Sequence, residues 1–204
     1  MKLRPIKEVR EEYPDFKYTW DFPKETIRGC KKRTLTHVVV CEDNGIPVYD
    51  TFVYESQQGV IIVPYNKADG RTKVGLIEEE RVIPGRTFIS LPMGNIEEQE
   101  GILHAANREL LEETGYSSKS LTVLGKNYAI PAFYRSYGFI VAAEIEDLES
   151  RVGFKLDQGE EILNVNFYTY KDIIYLLKSG KLEDGVTKAA LFSFGCSMPE
   201  FFKE

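Results

Sequence analysis

Glu109, Glu112 and Glu113 stand at i, i+3 and i+4 within the run GNIEEQEGILHAANRELLEETGY, from Gly94 to Tyr116. On a helix this spacing puts three carboxylates on one side, with no Lys nearby to alternate with them. Like charges so placed repel, at a cost of roughly a few tenths of a kcal/mol per pair. A cation set against them relieves the repulsion, and hard divalent cations prefer carboxylate oxygen. Arg108 directly precedes the acids, Glu100 lies upstream, and Gly94 and Gly115 bracket the segment. The plainer alternative is a solvated acidic helix face.

The elements that must hold these groups follow from periodicity. A helix is expected over 102–114, with Leu103, Ala106, Leu110 and Thr114 along one face and Glu109 and Glu113 on another. Gly115 is its expected stop. Before it, the β-branched run Thr34–Val40, the turn Asp43-Asn44-Gly45 and the run Pro47–Tyr54 predict a hairpin. A strand from Gly59 to Pro64, a turn at Ala68-Asp69-Gly70 and a return at Lys73–Ile77 predict a second. Further strands are expected at Leu121–Tyr128, Tyr137–Glu144 and Ile162–Tyr168. Helices are expected at Lys171–Lys178 and Val186–Phe194. This order predicts an α/β protein, a mixed sheet with helices on its faces. Residues 1–30 mix aromatics (Tyr13, Phe16, Tyr18, Trp20, Phe22) with charges at no clear period, and read as an arm that is loose or wraps a partner subunit.

Composition narrows the function classes. The chain has 204 residues, 43% hydrophobic and 28% charged, enough to bury a core. Its net charge of −6 argues against an electrostatic nucleic-acid binder, and no basic helix is visible. An anionic small molecule stays compatible, because a bound metal supplies positive charge locally. Cys30, Cys41 and Cys196 have no metal-binding spacing and read as reduced thiols, which implies a cytoplasmic setting. The charged N-terminus does not read as a secretory signal, and no apolar run is long enough to span a membrane.

The acidic segment also has a named spacing. Gly94, Glu100, Arg108, Glu109, Leu110, Glu112, Glu113, Gly115 and Tyr116 fill every position of the Nudix box. From about Thr34 to Gly195 the chain resembles Nudix hydrolases of the ADP-ribose pyrophosphatase type. That resemblance implies a Nudix α/β/α sandwich at 59–204. It also implies that the arm and a small antiparallel N-terminal β-sheet at 1–58 mediate a homodimer. Leu91-Pro92-Met93-Gly94 looks like the family's Leu-Pro-Ala-Gly lead-in, whose carbonyl before the box glycine is a metal ligand; Ser90 stands where the family has Glu. Glu79-Glu80-Arg81 looks like a strand end reading Gln-aromatic-Arg. Pro131 lies fifteen residues after Tyr116, at the family's characteristic proline.

The implied site then has Glu109, Glu112, Glu113 and the Met93 carbonyl as metal ligands, with Mg²⁺ as the ion and Mn²⁺ as a substitute. Gly94, Glu100 and Arg108 support the box from behind. Arg81 binds substrate phosphate, or else pairs with the neighbouring glutamates at the surface. Leu156-Asp157-Gln158-Gly159-Glu160-Glu161 resembles the family's acidic loop. Glu160 takes the place of a further metal ligand, while Gln158 falls at the place of the base, so Glu160 or Glu161 is the candidate base. His37 and His104 read as structural or exposed. Tyr134, Arg135 and Tyr137 read as strand-edge packing before substrate contacts. The implied reaction is metal-dependent hydrolysis of the pyrophosphate of ADP-ribose or a related nucleoside diphosphate sugar. The alternatives are another nucleoside diphosphate derivative, of dinucleotide or CoA type, and a non-catalytic Nudix-fold ligand-binding regulator.

Overall fold

The computed structural model describes residues 2–17, 26–30, 33–68, 70–153 and 161–203. Tyr18, Trp20, Phe22, Asp69 and the loop residues Asp157, Gln158, Gly159 and Glu160 lie outside them, so the expectations for these residues have no structural counterpart. The chain divides into two compact units.

The first unit takes residues 1–57 and also 128–137. Its strands are β1 (Lys2–Pro5), β2 (Thr26–Cys30), β3 (Arg33–Cys41) and β4 (Pro47–Glu55), with helix α1 (Ile6–Glu12) after β1. β3 is central and pairs antiparallel with the other three. The β3–β4 hairpin forms where expected: Gly45 has φ 93° and Asn44 Oδ1 accepts the Ile46 N–H at 3.0 Å. Residues 2–17 of the N-terminal stretch form regular structure that their sequence does not suggest. β1 pairs with β3 in register Lys2↔Cys41, and Ile6 and Val9 of α1 bury against Val39 and Cys41. Two apolar residues on a seven-residue helix are too few to register as a period.

Residues 128–137 join this unit through backbone. Tyr54 N–H donates to Phe133 O, Arg135 N–H donates to Tyr54 O, and Ser136 Oγ bridges the Ser56 N–H and carbonyl. Pro131, Tyr134, Arg135 and Tyr137 therefore belong here. Tyr134 stacks on Tyr54 with ring centroids 5.1 Å apart, and Arg135 pairs with Glu55. His37 and Asp50 form a buried pair 2.7 Å apart within the same sheet.

The second unit holds the rest, a seven-stranded mixed sheet of order β11-β6-β5-β10-β9, with β7 on β6 and β8 on β5. Its strands are β5 (Gly59–Ala68), β6 (Arg71–Arg81), β7 (Arg86–Ser90), β8 (Met93–Asn95), β9 (Ser120–Asn127), β10 (Gly138–Glu144) and β11 (Ile162–Tyr168). Among the described strands of this sheet, β5 and β10 are the neighbours that pair in parallel. Alternation along β5 builds two cores. Val60 and Ile62 face helix α2 (Ile102–Thr114), with Ala105, Ala106 and Leu110. Ile61, Val63 and Tyr65 face α3 (Tyr170–Lys178) and α4 (Gly185–Ser197), with Ile173, Leu191 and Phe194. Helices thus cover both faces, as an α/β/α sandwich requires.

Pro64 looks out of place in a central strand, where its missing N–H costs a ladder bond. Its position explains it. One edge of β5 pairs with β8 through Gly59–Ile61 and with β6 only from Tyr65, so Pro64 falls where β5 changes partner. Among the described residues no helix is long and apolar enough to cross a membrane.

Candidate active site

Helix α2 forms over the expected residues, with one correction to its buried face. Leu103, read on one face with Ala106, Leu110 and Thr114, is 44% exposed, whereas those three and Ala105 are buried. Periodicity gives an arc of the helix but not where the covering sheet ends, and Leu103 lies in the first turn. Gly115 ends the helix at φ 75°, its N–H donating to Leu111 O. A Cβ there would collide with the Val152 carbonyl.

The box acids do not stand as an unbalanced cluster. Arg108 Nη1 donates to Glu109 Oε1 and to Glu112 Oε2, each at 2.9 Å. Its Nε and Nη2 each donate to Glu100 at 3.0 Å, and Nη2 also reaches the Asn95 carbonyl at 2.9 Å. A planar guanidinium suits this fork of acceptors. The Arg108 bonds, helped by the Glu97 N–H and His104, hold the Glu100 carboxyl down at about 2. The same contacts, Glu100 first and Glu109 next, hold the guanidinium well above its ordinary range. His104 is exposed, its Nδ1 lying 2.7 Å from Glu100 Oε1.

Glu113 is turned the other way. It is 5% exposed, and its Oε2 accepts the Met93 N–H at 3.0 Å. Two more bonds clamp the same lead-in: Leu91 N–H donates to Thr187 Oγ1, and Ile62 N–H donates to Pro92 O. Thr187 is fully buried on α4 and is not foreseen by the sequence; only Asp184, the N-cap that accepts its N–H, leaves a local signal. The Glu109 carboxylate lies directly over Gly94, where a Cβ would overlap it and push that acid aside.

These groups gather at one end of the sheet. β8 pairs with the start of β5, and β6, antiparallel to β5, ends on the same side at Arg81. β11 begins there too: Glu161 is exposed, and its carbonyl accepts the Glu80 N–H at 3.0 Å. Arg81 and Glu161 thus come from adjoining strand ends, and Arg81 Nη2 donates to Glu79 Oε1 at 2.6 Å. Pro131 belongs to the first unit.

The donor chemistry fits a hard divalent cation, with carboxylate oxygens one helical turn apart and a backbone brought close by Gly94. Among the described residues no three acidic, His or Cys side chains are arranged to hold a metal ion as they stand. Arg108 draws Glu109 and Glu112 to itself, and Glu113 caps Met93.

The NUDIX domain family matches residues 55–190 of this chain. An ADP-ribose pyrophosphatase of Bacillus subtilis (strain 168) is 32% identical over 126 residues, which cover 58% of this chain and 63% of that protein. The chain therefore matches less than two thirds of that relative. The ADP compounds hydrolase NudE of Escherichia coli (strain K12) is 29% identical over 169 residues, covering 82% and 87%. A solved ADP compounds hydrolase superposes with a TM-score of 0.64 at 25% identity, covering 83% of this chain and 88% of its own.

Proposed function

Because the chain belongs to the NUDIX domain family, we propose that it is a pyrophosphohydrolase that cleaves the diphosphate of ADP-ribose or a closely related ADP-linked compound. The products are a nucleoside monophosphate and, from ADP-ribose, a sugar phosphate. The observation that carries this reading is the Arg108-bound set of acids beside the Met93–Gly94 lead-in. The substrate class follows the adenosine diphosphate common to the names of both bacterial relatives.

Glu109, Glu112, Glu113 and the Met93 carbonyl would hold Mg²⁺, or Mn²⁺ in its place. When bound, the ion offsets phosphate charge and lowers the pKa of coordinated water. Arg108 and Glu100 fix the rotamers of Glu109 and Glu112, so that little side-chain ordering is left for binding. Met93 is held by Glu113 and its neighbours by Thr187 and Ile62, which keeps the lead-in backbone in place. Arg81 would donate to substrate phosphate. Glu161, or Glu160 beside it, takes the proton of the attacking water as one phosphoanhydride P–O bond breaks and the leaving phosphate keeps that bond's electron pair.

With Mg²⁺ and a panel of ADP-ribose, nucleotide sugars, NADH and dinucleotide polyphosphates, AMP release is expected from ADP-ribose. Chelation with EDTA is expected to abolish it, and Mg²⁺ or Mn²⁺ to restore it. Tight binding of one compound with turnover of none would overturn catalysis and leave the ligand-binding regulator. A homodimer built on the N-terminal sheet belongs to the same reading. Light scattering is expected to give twice the 23.4 kDa chain mass, and a strict monomer contradicts it.

A further inference from the structure

Strand β6 alternates cleanly: Val74 and Leu76 join the core under α3 and α4. Ile77, Glu79 and Arg81 therefore point to the opposite face, the one that α2 covers. On β7 the same alternation sends Ile89 to the α3–α4 side and Ser90, opposite Ile77, to the α2 side. Glu79 and Ser90 so come to lie diagonally across the β6–β7 pair, on the face of the box helix.

There Ser90 Oγ donates to Glu79 Oε1, and Arg81 Nη2 donates to the same oxygen. Ser90 is 1% exposed, the Glu79 side chain 13% and the Arg81 side chain 45%, so burial falls along the line from anchor to tip. Among the described residues Glu79 is the partner of the Arg81 side chain, and it engages one of the five guanidinium donors. The others remain available to a ligand. Ser90 is also joined directly to Leu91, the first residue of the clamped lead-in. An exposed Arg paired with an equally exposed acid gains little and stays mobile. An Arg tied to a carboxylate that is itself fixed by a buried hydroxyl loses much of that freedom before a ligand arrives.

We propose that Glu79, anchored by Ser90, is a positioning residue that sets the direction of the Arg81 guanidinium toward substrate phosphate. This rests on the reading of Arg81 as a phosphate contact. The device also accounts for two features of the sequence at once, a carboxylate two residues before Arg81 and a small hydroxyl residue before the lead-in.

The test is steady-state kinetics on ADP-ribose with E79Q, S90A, R81A and the E79Q/R81A double variant, each checked for an unchanged melting temperature. E79Q keeps the side-chain shape and one acceptor oxygen, so it tests charge and direction, not folding. E79Q is expected to raise KM about three- to tenfold with kcat within about twofold, and S90A to move KM the same way by less. R81A is expected to raise KM more, and adding E79Q to R81A to change KM by less than about twofold. An unchanged KM in E79Q while R81A raises it overturns the positioning role and leaves the Arg81 reading standing. A full E79Q effect in the R81A background overturns it as well. An R81A enzyme with wild-type KM removes the phosphate contact and the proposal with it, and absence of wild-type turnover sinks the functional reading itself.

Discussion

Glu113→Gln is expected to lower turnover by about a hundredfold or more while shifting the melting temperature by no more than about 3 °C. Two roles meet in this side chain and the substitution separates them. The residue is 5% exposed and its Oε2 accepts the N–H of the partly buried Met93, so deleting the side chain leaves that donor without this acceptor. Such an orphan costs about 1–3 kcal/mol. Gln keeps an oxygen for that bond and nearly the same volume, so the lead-in stays clamped. It loses the negative charge that would hold a divalent ion. Glu113→Ala is therefore expected to lose both activity and stability, and Glu113→Gln activity alone. Near-normal AMP release from Glu113→Gln, measured at saturating Mg²⁺, would remove Glu113 from the metal site.

Arg108→Ala is expected to destabilise the fold by about 2–3 kcal/mol and to change its response to acid. One guanidinium bonds Glu100, just before the helix, and Glu109 and Glu112 on it, and without it these three carboxylates repel one another. The pH dependence has a definite sign. Glu100 is held down at about 2 in the folded protein against an ordinary 4.5. A depressed carboxylate contributes stability that is present in full above the unfolded value. That contribution drains as pH falls from about 4.5 toward 2 and the unfolded chain binds its proton first. With solvent screening it amounts to about 1–2 kcal/mol. In Arg108→Ala the Glu100 carboxyl returns toward its ordinary value, so this loss on acidification largely disappears from an already lower baseline. Urea unfolding of both proteins at pH 7, 5 and 3 measures it; equal losses between pH 5 and 3 would contradict the assignment.

The box helix was legible because every constraint on it is local. The spacing of Leu110 and Thr114, the acids at one turn and the αL glycine at 115 all act within thirteen residues. The strands at β3 to β6 and β9 to β11 were legible for the same reason, since alternation and turn residues set them within a few positions. β7 and β8 escaped it. β8 has three residues, too short for a period, and is defined by pairing with β5 about thirty residues earlier. The excursion of 128–137 into the first unit rests on bonds such as Ser56 to Ser136, eighty residues apart, for which no local pattern exists.

Residue types and spacing therefore determined that this chain carries an acidic platform with an arginine beside it, on a helix with a fixed stop at Gly115. Those features follow from helical geometry and charge, which depend on neighbours in sequence. Tertiary structure decided which acid does what. It turned Glu113 to the Met93 N–H, gave Glu109 and Glu112 to Arg108, and set Glu79 between Ser90 and Arg81. A carboxylate's partner is set by which strand end or loop is packed against it, and that packing is fixed by the two cores of the sandwich, whose contacts are long in sequence and short in space.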